Sequence, residues 1–115
     1  MTIRVMEPHV LYAPLAPEPN LQKDLEVLRT RVRAIDGTHV IVDLSNVDTI
    51  TSPSIGSLVL LYKLLHQRGQ RLILCRTRLV TQSILYVAGL CDLFEFAQDN
   101  VEALALLHET GGQPG

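Results

Sequence analysis

Apolar residues between positions 21 and 35 recur at steps of four, three, four and three: Leu21, Leu25, Leu28, Val32 and Ile35. That spacing draws one stripe along a helix. Lys23, Asp24, Glu26, Arg29, Arg31 and Arg33 fall off the stripe and form its wet face. Asn20 is placed to cap the start and Gly37 to stop the end. Before this helix the pattern is shorter. "TIRVME" alternates, with Ile3 and Val5 directed inward, and predicts an edge strand; "HVLYA" predicts a second strand, reached after Pro8. "PLAPEPN" holds Pro14, Pro17 and Pro19 and reads as a connecting loop.

After the first helix the periods alternate. "THVIVDL" carries three consecutive β-branched residues, Val40, Ile41 and Val42, the mark of a strand buried on both faces. A second helix is expected from about Pro53 to Arg68, stopped by Gly69. "RLILC" predicts another buried strand. "TRLVTQSILYVAG" predicts a third helix with Val80, Ile84 and Val87 on its stripe and Gly89 as its stop. "LFEFA" predicts a last strand, and "DNVEALALLHE" a closing helix capped by Asp99 or Asn100. "TGGQPG" reads as a frayed tail from about residue 110. Strands alternating with helices after a two-strand start predict one α/β domain over residues 1–115, its sheet parallel in the centre and antiparallel at the N-terminal edge.

The most unusual stretch is "TSPSIGSLVLLYKLL". Proline is favoured at the first helical position, because the N–H it lacks would be unpaired there. With Pro53 in that place, Ser52 is the N-cap, a contact worth about 1 kcal/mol. The same geometry serves a second purpose. A serine at a helix mouth sits near the positive end of the helix dipole, where a phosphate meets free N–H donors and adds nearly two negative charges to the surface. The helix behind it, with Ile55, Leu58, Val59, Leu60, Leu61, Leu64 and Leu65, is apolar almost all round. Such a helix is either fully buried or keeps one face for docking.

Composition narrows the classes. Hydrophobic residues make up 47% and charged residues 19% of the chain, as in a compact globular domain, and the formal net charge of −2 argues against a nucleic-acid module. Cys75 and Cys91 lie far apart and outside any CxxC pattern, which argues against a disulfide framework or zinc site and for a reduced, cytoplasmic setting. Cys75 reads as core and Cys91 as a more exposed turn residue. No secretory signal is visible, and "SLVLLY" is far shorter than a membrane span. His9, His39, His66 and His108 show no metal or triad spacing. Arg76 and Arg78 are placed to form an anion-attracting rim near the helix mouth.

The run "VIVDLSNVDTITSPSIGSLVLLYKLL" resembles the STAS domain found in anti-sigma-factor antagonists. The pattern of that family is an apolar strand ending Asp-Leu, a Val three residues on, then Asp-Ser-(Ser/Thr)-Gly-(Leu/Ile)-Gly. Asp43, Leu44, Val47, Ile55 and Gly56 match, and Ser52 falls on the phosphorylated serine. Downstream, "VAGLCDLFEFAQDNVEALALL" is similar to the small-Gly-Leu turn, short strand and acidic-start helix of the family. The chain departs at three loop positions: Thr51 stands for Asp, Pro53 for Ser or Thr, and Ser54 for Gly.

The resemblance implies a single STAS-like domain with a mixed sheet of four to five strands and about four helices. It implies a binder rather than a catalyst, with no cofactor and no metal. Its partner is an anti-sigma factor that is also a serine kinase, with a serine phosphatase to reset the switch. Phosphorylation falls on Ser52, with Thr51 and Ser54 as rival acceptors. The implied contact surface is Thr51, Ser52, Pro53, Ser54, Ile55, Gly56 and Val59. A constitutive, unphosphorylated STAS scaffold in a signalling assembly or beside a transporter is the alternative. A flavin or nucleotide module is disfavoured, because the loop lacks GxGxxG glycines and no GK[ST] motif occurs.

Overall fold

The computed structural model describes residues 1–109; the expected frayed tail lies outside them. The elements are β1 (Arg4–Glu7), β2 (Val10–Pro14), α1 (Leu21–Arg33), β3 (His39–Asp43), α2 (Ser52–Gln67), β4 (Leu72–Cys75), α3 (Leu79–Val87), β5 (Glu95–Ala97) and α4 (Asn100–Glu109). They build one five-stranded sheet in the order β1-β2-β3-β4-β5. β1 runs antiparallel to β2, with a register shift between Val5 and Glu7, and the remaining pairs are parallel.

Each parallel strand neighbours the next in sequence, so right-handed crossovers carry α1, α2 and α3 to the same face. The side chains agree. Leu21, Leu25, Leu28 and Val32 of α1, Leu58, Leu61 and Leu65 of α2, and Leu85 of α3 form one core with Leu11, Ala13, Val40, Val42, Leu72 and Leu74 of the sheet. Val10, Tyr12, Ile41, Ile73 and Cys75 point the other way and meet Ala103 and Leu107 of α4. The continuous β-branched run of β3 therefore serves two cores at once.

Three local expectations change. Val5 is 69% exposed while Ile3 packs against the α1–α3 core, because β1 is the sheet edge. The stripe expected on α3 is turned outward: Val80 and Val87 are exposed, Ile84 is half-buried, and Thr81 and Leu85 are buried. The Thr81 hydroxyl donates to the Val47 carbonyl at 2.8 Å, and that bond sets the roll of the helix. Leu79, Tyr86 and Val87 are consequently left on its outer face. Finally, α2 begins one residue early, with Thr51 and not Ser52 as its N-cap.

Asp99 caps α4, its carboxylate accepting from the Glu102 N–H at 2.9 Å while Glu102 accepts from the Gln98 N–H at 3.0 Å. α2 ends in a Schellman turn: Gly69 N–H bonds His66 O at 3.0 Å and Gln70 N–H bonds Leu65 O at 2.8 Å, with Gly69 at φ +71. Among the described residues, no helix is long and apolar enough to cross a membrane.

Candidate functional site

A parallel sheet sends the loops that leave its strands to one end. The β2–α1, β3–α2 and β4–α3 loops meet there, and the β3–α2 loop is anchored from below. Leu44, Val47 and Ile50 are buried in the α1–α3 core. Leu44 N–H bonds Cys75 O at 3.0 Å, and Leu15 N–H bonds Asp43 O at 3.0 Å. The loop is therefore stitched to both neighbouring strands before it reaches residue 51.

Asp43 is the polar centre of this anchorage. It is 5% exposed at the end of β3. One carboxylate oxygen accepts from the Tyr12 hydroxyl and lies 3.5 Å from Arg76 Nε; the other accepts from the Ser45 N–H at 2.8 Å. Burial pushes the Asp43 carboxyl up, but the bonds from Tyr12 and Ser45 and the Arg76 charge outweigh it and hold the group below its ordinary value. Burial and the same carboxylate push the Tyr12 phenol up to about 12, and burial pushes the Cys75 thiol up to about 12. Cys75 is thus an inert core thiol, and Cys91 is partly exposed, both free. The expected arginine rim is partly spent: Arg76 faces Asp43, and Arg78 reaches Ser45 O at 3.5 Å.

Above the anchorage stand the three hydroxyls. Thr51 is extended at φ −89, ψ 163, and its carbonyl accepts the helical bond from Ile55 N–H at 2.9 Å. Its side chain makes no capping bond to the helix. Instead both its N–H (2.8 Å) and its hydroxyl (2.9 Å) donate to one oxygen of Glu18, from the proline-rich loop 33 residues earlier. Ser54 is fully buried, with Oγ 3.4 Å from Thr51 Oγ1. Burial pushes the Glu18 carboxyl up, but the Thr51 N–H and the Ser54 and Thr51 hydroxyls outweigh it and hold it below its ordinary value. Ser52 is exposed, occupies the first helical turn, and its hydroxyl makes no hydrogen bond to another described residue.

The residues singled out by sequence are therefore brought together but not equally presented. Thr51, Ser52, Pro53 and Gly56 are exposed, Ile55 and Val59 half-buried, and Ser54 is withdrawn inside. Leu60, one turn beyond Gly56, is 49% exposed and completes a ridge descending from Ser52. Most of the remaining apolar surface of α2 is buried, so the helix is neither wholly interior nor a broad greasy face. Glu18 was not visible as a site residue. Its "PEP" setting marks a loop, and a partner 33 residues away leaves no local pattern.

Among the described residues, no group of three or more His, Cys, Asp and Glu side chains is arranged to hold a metal ion. Residues 22–103 match the family model of the STAS domain. The fold is similar to a Thermotoga maritima protein assigned as an anti-sigma factor antagonist, at 15% identity over 93% of each chain, with a TM-score of 0.81. It is similar to an anti-sigma-factor antagonist (STAS) domain protein from Planctomyces limnophilus, at 18% identity over 91% of this chain and 97% of that one, with a TM-score of 0.76. It is also similar to the anti-sigma factor antagonist SpoIIAA in its unphosphorylated form, at 12% identity over 93% and 96%, with a TM-score of 0.65. No curated protein is significantly similar to the chain in sequence.

Proposed function

The chain belongs to the STAS domain family, and from that footing we propose that it is an anti-sigma-factor antagonist whose docking is switched off by phosphorylation of Ser52. The unmodified protein binds an anti-sigma factor through the Ser52–Gly56–Leu60 ridge of α2 and so frees the sigma factor. The partner, acting as a serine kinase, transfers the γ-phosphoryl group of ATP to Ser52 Oγ; ADP leaves and the hydroxyl proton passes to the kinase or solvent. A phosphatase reverses the step. The protein works in the cytoplasm as substrate and binder, not as a catalyst.

The observation that carries this reading is the contrast among three neighbouring hydroxyls. Ser54 is buried and Thr51 is bonded to Glu18, while Ser52 is exposed and its hydroxyl bonds no other described residue. The first-turn N–H groups of α2 have no side-chain cap, so a phosphate on Ser52 meets free donors and a favourable dipole without disturbing the core. The effect is on the partner, which faces new charge in a surface it must desolvate. Incubation with the cognate kinase and ATP is expected to add one phosphoryl group to wild type and none to Ser52→Ala, read by intact mass. A phosphoryl group still gained by Ser52→Ala overturns the site, and no gain by wild type favours the constitutive scaffold.

Gly56 adds support. Apart from its own helix backbone and chain neighbours, no described atom lies within 4 Å of where a Cβ at Gly56 would stand. Glycine in a helix interior costs about 1 kcal/mol relative to alanine, and the protein's own packing gives no reason for that cost. A partner seated closely against the helix does. Gly56→Ala is expected to raise the chain's stability by about 0.5–1 kcal/mol while weakening binding, two opposite effects read by denaturant titration and calorimetry. Unchanged binding would remove Gly56 from the interface.

A further inference from the structure

The family pattern sets an aspartate immediately before the acceptor serine, and this chain has Thr51 there. The position is nevertheless not without a carboxylate. Glu18 reaches it from the β2–α1 loop, and one of its oxygens accepts both the backbone N–H and the hydroxyl of Thr51, at 2.8 and 2.9 Å. Two bonds to one residue fix both its backbone and its χ1, and Thr51 is covalently next to Ser52. The Thr51 hydroxyl is turned toward Glu18 and does not cap α2. The helix's free N–H donors therefore stay open beside Ser52. Glu18 is only partly buried, so its charge acts outward as well as on Thr51.

We propose that Glu18 is the positioning residue of the Ser52 switch: it holds the acceptor loop through Thr51 in the unmodified protein, and it is the charge that a phosphate on Ser52 pushes against. This inference rests on Ser52 being the modified residue. It adds a consequence that Ser52 alone does not carry. A phosphate on Ser52 is carried by the residue next to Thr51, whose N–H and hydroxyl hold the half-buried Glu18 carboxylate, and two anions gathered around one residue repel. The modification then strains the Glu18–Thr51 link and loosens the β2–α1 loop from the helix mouth. The partner meets altered loop geometry in addition to altered charge.

The test needs no kinase. Phosphoserine is installed at position 52 during synthesis of the full chain, and the phosphate is titrated by phosphorus NMR. With Glu18 present, the second phosphate ionisation is expected about 0.5 pH unit higher than in the same chain carrying Glu18→Gln, with Glu18→Asp recovering part of the shift. The Thr51 amide signal of the phosphorylated chain is expected to move away from its carboxylate-bonded position; in the unphosphorylated chain, Glu18→Gln should move it in the same direction. A purely structural role for Glu18 would change the amide but not the phosphate. Identical phosphate titrations in the wild-type and Glu18→Gln backgrounds would overturn the proposal even where Ser52 is a genuine acceptor. Conversely, coupling seen here alongside a kinase that never modifies Ser52 would leave the physical link intact and sink the regulatory reading instead.

Discussion

Ser52→Asp is expected to weaken binding to the anti-sigma factor by about 100-fold, on the order of 3 kcal/mol, while Ser52→Ala binds nearly as wild type. The asymmetry follows from where the side chain stands. Ser52 is exposed and its hydroxyl makes no hydrogen bond to another described residue, so removing that hydroxyl costs the fold little. A carboxylate there brings a charge into the proposed docking surface, which must be stripped of water on binding, and it stands on the residue next to Thr51, whose N–H and hydroxyl hold Glu18. The aspartate imitates only part of a phosphate, which carries nearly two charges. Phosphoserine at the same position is therefore expected to weaken the complex further. Calorimetry on the three variants reads this directly. Equal affinities for Ser52→Ala and Ser52→Asp would show that charge at the helix mouth is irrelevant to the partner.

Asp43→Ala is expected to destabilise the protein by about 3 kcal/mol and to lower the melting temperature by roughly 10 °C. Its carboxylate is nearly fully buried and takes bonds from Tyr12 and Ser45 while facing Arg76. Truncation leaves those donors without an acceptor and opens a gap beneath the β3–α2 loop. Because the folded state holds the Asp43 carboxyl below its ordinary value of 3.8, its contribution is complete above that value and is lost as pH falls through the depressed one. Wild type should thus lose stability on acidification below about pH 4 more steeply than Asp43→Asn. Glu18 acts with the same sign, so the comparison between the two chains, and not the absolute slope, isolates Asp43. Parallel acid curves would mean that Asp43 is not ionised in the fold.

Much of this architecture was legible in residue order. The stripe lies on α1 from Leu21 to Val32, because its apolar residues fall on one face only and Leu21, Leu25, Leu28 and Val32 are buried; Ile35, its expected last member, falls beyond the helix end at Arg33 and packs against the core from the following turn. The β-branched run 40–42 is buried on both sides. The α3 stripe was misread because that helix has apolar residues on two sides. The choice between them was made by the Thr81 hydroxyl reaching Val47, a contact across 34 residues. The cap of α2 shifted by one residue for a similar reason: Thr51 takes the extended backbone of a cap while its side chain is claimed by Glu18. Serine-rich turns advertise caps through local spacing, but which hydroxyl is free depends on the tertiary partner of each. That is why Ser52, Thr51 and Ser54 read alike in sequence and stand apart in the fold.

Under the proposed switch one exposed hydroxyl decides whether the partner stays bound, and adding ATP to the preformed complex tests this most directly. Size-exclusion chromatography with light scattering should show the wild-type complex separating as phosphate accumulates, while the complex made with Ser52→Ala persists under the same conditions. Both complexes surviving, or both falling apart, would contradict the account.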